Sequence, residues 1–256
     1  MDMEVRTGYP LLASLTAHLP DDAPLTASES AFLLALQSSA HAIRRGHEII
    51  AQGRNYNGVF VLLEGFGLRY KVLTDGRRQV FHVALPGDLV GYPACFFERA
   101  LYSVTALTKV SACLVSFADM AELFRSFPRL AMALFRSSAG ETAMYGEHLA
   151  GVGRRGAYDR VAHFVLEMAT RLRAIGIGDG IEFGMPLTQE QIADVVGLSA
   201  PHVNRMLRRL REEGLIDMDG MQIKLRDREA LAALADFDAS YLIRREQTAS
   251  TAGAIA

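Results

Sequence analysis

Arginine and asparagine side chains that can read DNA bases are concentrated in one short stretch of the sequence. Between positions 200 and 212 the chain reads APHVNRMLRRLRE. Apolar residues recur there every three or four positions, which predicts a helix with one buried stripe and polar residues opposite. Arginine can bond the O6 and N7 atoms of guanine, and asparagine can pair with adenine. The pattern therefore favours a helix that presents Asn204 and Arg205 to the major groove of DNA.

The preceding residues predict a second helix and a tight turn that position this one. Thr188, followed three residues later by Gln191, has the form of a capping box, which begins a helix. Gly197 can adopt the left-handed conformation that ends it. Ser199 is a good N-cap, and Pro201 falls in a first helical turn, where a missing N–H costs little. Together these signals predict a helix-turn-helix over residues 187–216; the alternative is an ordinary helical hairpin with a solvated arginine face.

Composition limits the class of protein. The 256 residues are 50% hydrophobic, which is enough to bury cores in about two domains. The net charge is only −2, so the arginines between 205 and 211 must act as a local positive patch rather than as part of a basic surface. Cys95 and Cys113 are too few for a disulfide framework or a four-cysteine cluster, so we expect a reducing cytoplasm and core thiols, with redox sensing as an alternative. The sequence shows no apolar signal core and no run of about 18 apolar residues, so neither secretion nor membrane insertion is expected.

Short β-rich runs fill the first half of the chain, after a lead-in helix expected from Ser28 to Leu36. From His41 onward these runs are HEIIAQG, GVFVLLEG, FGLRYKVL, RRQVFHVALPGD and YSVTALTKVSACLVS. Turn residues separate them, and Asp75 with Gly76 is the clearest hairpin signal. Evenly spaced strands joined by tight turns predict a small antiparallel barrel or roll within an N-terminal domain of residues 1–127.

A long helix is predicted next, followed by a hinge at Gly151–Gly153, so that residues 128–153 form one unit. One stripe of this helix recurs every three or four positions, as in a helix that pairs with a second copy. The stripe passes through Ser138, and its predicted dimerisation residues are Leu130, Leu134, Glu141, Tyr145, His148 and Val152. Its polar members can specify the pairing register or mark a site.

Residues 154–245 are predicted to form the DNA-binding domain. An amphipathic helix from Tyr158 to Arg173 precedes the helix-turn-helix. A hairpin with Asp219 and Gly220 at its turn follows as a wing, and a closing helix is expected from Arg228 to Leu242. The tail 246–256, EQTASTAGAIA, is predicted to be disordered.

This order of parts resembles the Crp/Fnr family of bacterial transcription regulators over nearly the whole chain. LTQEQIADVVGLSAPHVNRMLRRLREEGLI is similar to the family's helix-turn-helix signature, and VFVLLEGFGLRYKVLTDGRRQVFHVALPGDLVG has the glycine rhythm of its roll. The resemblance implies an α+β fold with an antiparallel β-roll like a cyclic-nucleotide-binding domain, a long dimerisation helix and a C-terminal winged helix-turn-helix. It also implies a homodimer on a two-fold symmetric DNA site, with RNA polymerase as a further partner.

The resemblance assigns roles to single residues of the helix-turn-helix. The family's base-reading arginine falls on Arg205. Pro201 stands where relatives often have a glutamate that reads a base, so this chain departs from the residue set that reads the family's usual half-site. The predicted base-reading residues are Ala200, Pro201, Asn204 and Arg205. The predicted phosphate contacts are Thr188, Gln189, Ser199, His202, Arg208 and Arg209.

The roll departs further from relatives that bind cyclic nucleotides. Those relatives place a glutamate for the ribose and an Arg-Ser pair for the phosphate after a Gly-Asp turn. Here Tyr92 stands at the glutamate position, and Leu101 and Tyr102 precede Ser103, although Arg99 is nearby. A buried phosphate needs a positive partner, so nucleotide sensing is disfavoured. A different effector would use a candidate pocket of Tyr92, Arg99, Tyr102 and Ser103.

Other functions stay open as alternatives. No cofactor or metal is expected, although His41, His47, His82 and His148 leave haem as an alternative. A ligand-binding module without a role on DNA is another. No enzyme is expected, because the sequence has no Ser/His/Asp spacing, glycine-rich phosphate loop or HExxH motif.

Overall fold

The computed structural model describes residue 19 and residues 24–92 and 96–242. Within these ranges the chain has the predicted α+β architecture, with an antiparallel roll, a long helix and a C-terminal helix-turn-helix domain. Cys95 and the tail 246–256 lie outside the described residues. Across the described ranges, no helix has the length and apolar character needed to cross a bilayer.

Helix α1, Ala27–Ser38, confirms the expected lead-in helix and precedes the roll. The strands of the roll are β1 His41–Ile43, β2 Glu48–Ile50, β3 Gly58–Glu64, β4 Gly67–Val72, β5 Arg78–Ala84, β6 Leu89–Val90, β7 Ser103–Ala106 and β8 Val110–Ser116. They form two antiparallel sheets with the strand orders β1-β8-β3-β6 and β2-β7-β4-β5. Apolar residues between the two sheets, such as Ile50, Leu62 and Val104, form the core of the roll. The other face of the sheet that contains β3 packs against helices.

Turns with glycine join these strands as the sequence predicts. Between β4 and β5, Val72 pairs with Arg78, and Gly76 has a φ of +83°, which confirms the hairpin. Gly65 has a φ of +82°, and a Cβ atom there would lie 2.2 Å from the carbonyl oxygen of Lys109. Only glycine permits this close approach of two backbone segments.

Helix α2, Phe117–Ser126, leads into α3, Pro128–Arg154, which is 27 residues long. The predicted hinge at Gly151–Gly153 is wrong, because α3 continues through both glycines. The chain leaves the helix at Arg155, which has extended backbone angles, and Gly156 caps the next helix. A glycine inside a helix costs only about 1 kcal/mol relative to alanine, too little to end a helix that packs against its neighbours.

The structure places five of the six predicted dimerisation residues of α3 against the same chain. Leu130 and Leu134 are buried in the core that α3 shares with α1 and α2. Glu141, Tyr145 and His148 bond to residues of the roll and of the C-terminal domain. Only Val152 is exposed. The two leucines complete an apolar core, and the three polar residues face inward because the roll and the C-terminal domain supply their partners.

A different face of α3 is open to solvent. Its exposed positions recur every three or four residues and are apolar or small. They are Met132, Phe135, Ala139, Thr142, Gly146, Leu149 and Gly153. This set is defined here as the open stripe of α3. It has the heptad spacing of a pairing helix, displaced by one position from most of the predicted stripe.

The C-terminal domain contains α4 Ala157–Ala174, β9 Glu182–Gly184, α5 Gln189–Val196, α6 Ala200–Glu212, β10 Ile216–Asp219, β11 Gln222–Leu225 and α7 Arg228–Ala235. The hairpin β10–β11 confirms the predicted wing, and β9 adds a third strand that was not predicted. The closing helix is shorter than predicted, because Asp236 adopts a left-handed conformation that ends it. Roll residues such as Val80 and Val83 share one continuous core with α4, α5 and α6.

Candidate nucleic-acid interface

Helices α5 and α6 form the predicted helix-turn-helix. The hydroxyl of Thr188 accepts the N–H of Gln191 at 3.2 Å, and the Gln191 side chain accepts the N–H of Thr188 at 2.9 Å. Gly197 ends α5 with a φ of +66°. Ile192 and Val196 of α5 belong to the same core as the stripe Val203, Leu207 and Leu210 of α6. The local signals of the sequence therefore position α6 as predicted.

The opposite face of α6 is open to solvent. Pro201, Asn204, Arg205 and Arg208 are exposed, whereas Ala200 and His202 are half-buried. The Asn204 amide donates to Oε1 of Gln189 at 2.8 Å. One further N–H and the carbonyl oxygen of Asn204 stay available, which is the donor and acceptor pair that adenine requires.

The arginines of α6 differ in their environments. Arg208 and Arg209 each donate to the glutamate four residues later, at 2.7 Å. The Arg209 guanidinium also lies 4.1 Å from the ring centre of Tyr158 on α4, so it is held at the flank of the helix. Within the described residues, Arg205 has no ion-pair partner. Its charge is therefore the one on this face most accessible to a base.

A groove of about 500 Å³ separates α6 from the wing. Arg208 and Arg211 line one side, and Asp217 and Met218 of β10 line the other. Asp217 is paired with Arg226, whose Nε donates at 2.6 Å. The positive charge of the candidate interface thus lies on α6, whereas the charge of Asp217 on the wing is balanced by Arg226.

Among the remaining predicted phosphate contacts, Thr188, Gln189 and Ser199 are exposed beside the N-terminal ends of α5 and α6. The Ser199 side chain makes no capping bond to α6. Its hydroxyl and the N–H of Ala200 can therefore serve an anion, whereas Pro201 has no N–H and that of His202 donates to the carbonyl oxygen of Ser199 at 2.9 Å.

The candidate effector pocket is not assembled as predicted. Tyr102 is buried in the roll, where its hydroxyl donates to the carbonyl oxygen of Tyr92 at 2.8 Å. Ser103 is buried too and donates to Glu48 at 3.0 Å. Arg99 lies on the surface with 68% of its side chain exposed. An exposed arginine and an inward-facing tyrosine cannot hold the same buried ligand.

Sequence reasoning did not find Arg69, a charged residue inside the roll. Its side chain is 1% exposed, it pairs with Glu141, and it donates to Tyr145 of α3 and, at 2.7 Å, to the carbonyl oxygen of Leu89. Its guanidinium lies 5.0 Å from the ring centre of Tyr102. The signal that could have found it is Glu141, a carboxylate within an otherwise inward stripe, since a buried charge requires a partner.

A second buried polar cluster joins the roll, α3 and α4. Glu167 and Arg171 of α4 contribute to it, together with His82 and Asp88 of the roll and His148 of α3. Burial and the nearby Arg171 lower the pKa of His82 to about 4. Burial disfavours the His148 cation, but the Glu167 carboxylate outweighs it and raises the pKa of His148. Burial alone would raise the pKa of Glu167, yet His148 and Arg171 hold it at about 2.

The histidines proposed for haem are either exposed or already bonded to carboxylates. His41 and His47 are exposed, whereas His82 and His148 bond to the carboxylates of Asp88 and Glu167. Among the described residues, no group of three or more histidine, cysteine or acidic side chains could hold a metal ion. Cys113 is buried, and burial raises the pKa of its thiol to about 11, so it is not a reactive thiolate at neutral pH.

Two family models match the chain. The cyclic nucleotide-binding domain matches residues 40–127, and the Crp-like helix-turn-helix domain matches residues 159–234. The nitrogen fixation regulation protein FixK of Azorhizobium caulinodans is 32% identical over 74% of this chain and 76% of its own length. The transcriptional activator protein FnrA of Stutzerimonas stutzeri is 26% identical over 75% of this chain and 79% of its own length.

Solved structures show the same architecture. FixK2 from Bradyrhizobium japonicum is 29% identical with a TM-score of 0.67, over 76% of this chain and 96% of that chain. Fold, helix-turn-helix geometry and relatives therefore agree. We conclude that the chain belongs to the Crp/Fnr family of DNA-binding transcription regulators.

Proposed function

We propose that the protein binds a two-fold symmetric DNA site as a homodimer and reads each half-site with α6. The observation that carries this proposal is the exposed face of α6, on which Arg205 and Asn204 offer donors and acceptors for base edges. Ala200 and Pro201 lie at the start of the same helix and would make apolar, shape-complementary contacts with base edges. The contrast between this face and the buried stripe opposite supports a helix that lies in the major groove.

The phosphate contacts proposed for each half-site surround that helix. Thr188, Gln189 and Ser199 would bind DNA phosphates at the N-terminal ends of α5 and α6. His202 and Arg208 would bind phosphates beside the face of α6 that reads the bases. Arg209 would contribute charge from the flank, where Tyr158 and Glu213 hold it. Contacts of this kind fix the protein's register on DNA without selecting a sequence.

Pairing of two copies is proposed through the open stripe of α3. Phe135 and Leu149 are 67% and 75% exposed, although both are large and apolar. A solvent-facing row of such residues at heptad spacing is typical of a helix with a partner helix. The inward stripe, by contrast, is already occupied by the same chain. Residues 128–153 thus remain the proposed dimerisation unit, with a different face toward the partner.

We further propose that DNA binding needs no cyclic nucleotide. Arg69 inside the roll has its carboxylate from Glu141, and its guanidinium lies over the ring of Tyr102. The ring of Phe81 packs edge-on against those of Tyr102 and Tyr145, with ring centres 5.4 and 5.9 Å apart. A phosphate would have to displace Glu141 from Arg69. This occupied interior supports regulation by the abundance of the protein, rather than by an effector or haem.

The remaining proposals follow from the family. The protein would act in the cytoplasm, engage RNA polymerase when bound to DNA, and catalyse no reaction. Its proposed domains are residues 1–127, 128–153 and 154–245.

Selection of bound fragments from random duplex DNA tests the DNA proposal. We expect an inverted repeat whose half-site centres are about 34 Å apart, one helical turn.

Calorimetric titration with cyclic AMP and cyclic GMP, with and without the selected DNA, tests the effector proposal. Micromolar binding of either nucleotide together with tighter DNA binding would contradict it.

A further inference from the structure

We infer that Glu167 and Arg171 are positioning residues that fix the DNA-binding domain on α3 and the roll, and thereby set the half-site spacing that the dimer accepts. The inference rests on the proposed function, because a spacing exists only for a dimer on DNA. Its basis is that two charged side chains of α4, both buried, bond to residues outside their own domain.

Glu167 joins α4 to the pairing helix. The carboxylate is 1% exposed and accepts from Nε2 of His148 at 2.8 Å and from the hydroxyl of Tyr241 at 3.0 Å. Nδ1 of His148 lies 3.3 Å from the carbonyl oxygen of Phe81 on β5. Both ring nitrogens therefore face acceptors, and the imidazolium form satisfies both. One buried carboxylate thus holds a cation that contacts α3, α4 and the roll.

Arg171 joins α4 to the roll directly. Its Nη2 donates to the carbonyl oxygen of Val83 at 2.8 Å and to Oδ2 of Asp88 at 3.0 Å. Asp88 also accepts the N–H of Leu85 at 2.9 Å and bonds to His82 at 3.0 Å, so the acceptor is itself held in place. Arg171 Nη1 lies 3.6 Å from Glu167, which links the two attachments.

A separate attachment lies on the helix-turn-helix itself. Nε of Arg78 on β5 donates to Asp194 of α5 at 2.8 Å, and Gln79 donates to the carbonyl oxygen of Asp194, also at 2.8 Å. Only Arg155 and Gly156 separate α3 from α4, and a domain attached at only one point beyond this short link could still rotate. Attachments at both α4 and α5 remove that freedom.

The apolar part of the same boundary does not determine orientation as sharply. Burial of apolar surface is non-directional, whereas a buried hydrogen-bonded charge is satisfied in few geometries. Without the Glu167 charge, His148 would stay buried without its counter-ion and Arg171 would keep only Asp88, so the domain would shift to hydrate the His148 cation. One added base pair moves a half-site by about 3.4 Å and rotates it by about 35°, so small shifts of α6 change the accepted spacing.

The test is selection from a duplex library in which two half-sites are separated by spacers of different length. We expect the wild-type dimer to select one spacer and to lose about tenfold or more in affinity when one base pair is added. Glu167→Gln should select the same half-site sequence but several spacers, with a loss of about threefold or less for the added base pair. Asp194→Asn should broaden the spacing in the same direction. Glu182→Gln, which removes a charge from an exposed pair with Lys224, is the matched control and should keep one spacer.

The outcomes separate the two proposals. A single retained spacer in Glu167→Gln would overturn the positioning role while leaving the proposed function intact, whatever spacing Asp194→Asn selects. If wild-type protein selects no inverted repeat, the proposed function itself fails. If Glu167→Gln does not fold, Arg171→Lys applies the same test, because lysine keeps the positive charge but loses the guanidinium that bonds to Val83 and Asp88. A single retained spacer in that variant would overturn the positioning role.

Discussion

In both α6 and α3, residues of similar character recur every three or four positions. This pattern alone identifies the solvent-exposed face only in α6. In α6 the buried stripe of Val203, Leu207 and Leu210 faces away from a row of arginines. In α3 the open stripe is apolar or small, and the inward stripe contains Glu141 and His148. The charged face of a helix is the solvent-exposed face only when the rest of the fold offers no buried partner of opposite charge.

The inward stripe of α3 shows how the partner changes the outcome. Arg69 is buried in the roll and needs a carboxylate, which Glu141 supplies. His148 finds acceptors on both sides, from Phe81 and Glu167. The polar residues of α3 therefore point into the protein, and its large apolar residues are left for a second copy.

The largest expected effect comes from charge on the open stripe of α3. Phe135→Glu should give a monomer, because the carboxylates of the two copies would meet where the open stripes pair. The monomer should lose about 4 kcal/mol or more of specific binding free energy for a full two-half site. Sedimentation and DNA titration measure both changes. Phe124→Glu is the matched control, since Phe124 is 64% exposed on α2, outside the open stripe. A dimer retained by Phe135→Glu would show that another face pairs.

Removal of the carboxylate on the inward stripe should act on folding instead. Glu141→Ala leaves Arg69 buried without its counter-ion, which should lower the free energy of unfolding by about 3 to 5 kcal/mol. Glu122→Ala breaks the more exposed pair with Arg125 and should cost about 1 kcal/mol or less. Urea denaturation of the two variants compares them, and equal losses would contradict the internal pairing of Arg69 and Glu141.

Two arginines of α6 should separate base reading from phosphate binding. Arg205→Ala should lose about 1 to 3 kcal/mol per half-site and relax the preference at one base pair. Arg209→Ala should weaken binding to all sequences alike and reduce the salt dependence. Titrations on the selected site and on a scrambled duplex, at several salt concentrations, measure both. The same uniform loss in both variants would mean that Arg205 does not face the bases.

The smallest expected effect is the pH dependence that His148 confers. Its pKa is raised above the usual 6.5, so the folded state holds a proton that the unfolded state releases. This contribution to stability is complete below pH 6.5 and is lost as the pH rises through the raised pKa of the folded state. Urea midpoints between pH 6 and 9 should fall in wild type and change less in His148→Gln. An equal slope in both proteins would remove His148 from the cause.

The sequence by itself determined the parts whose signals are local. The capping box at Thr188, the left-handed Gly197 and the arginine face of α6 each depend on residues within one or two turns of helix. The hairpin at Gly76 depends on its own turn. For these elements the conformations available to a few neighbouring residues limit the outcome, so α5, α6 and the β4–β5 turn could be predicted.

Only the tertiary structure decided which distant groups meet. Arg69 and Glu141 are separated by 72 positions in the sequence, and nothing in the strand that holds Arg69 marks it as buried. The same holds for Glu167 and Arg171, which lie on an amphipathic helix but bond across a domain boundary. Gly151 and Gly153, which favour a hinge, stay within α3, and Arg99 lies on the surface whereas Tyr102 is buried in the roll. Long-range pairing depends on how whole elements pack, because a buried charge takes whatever partner the packed fold brings within reach.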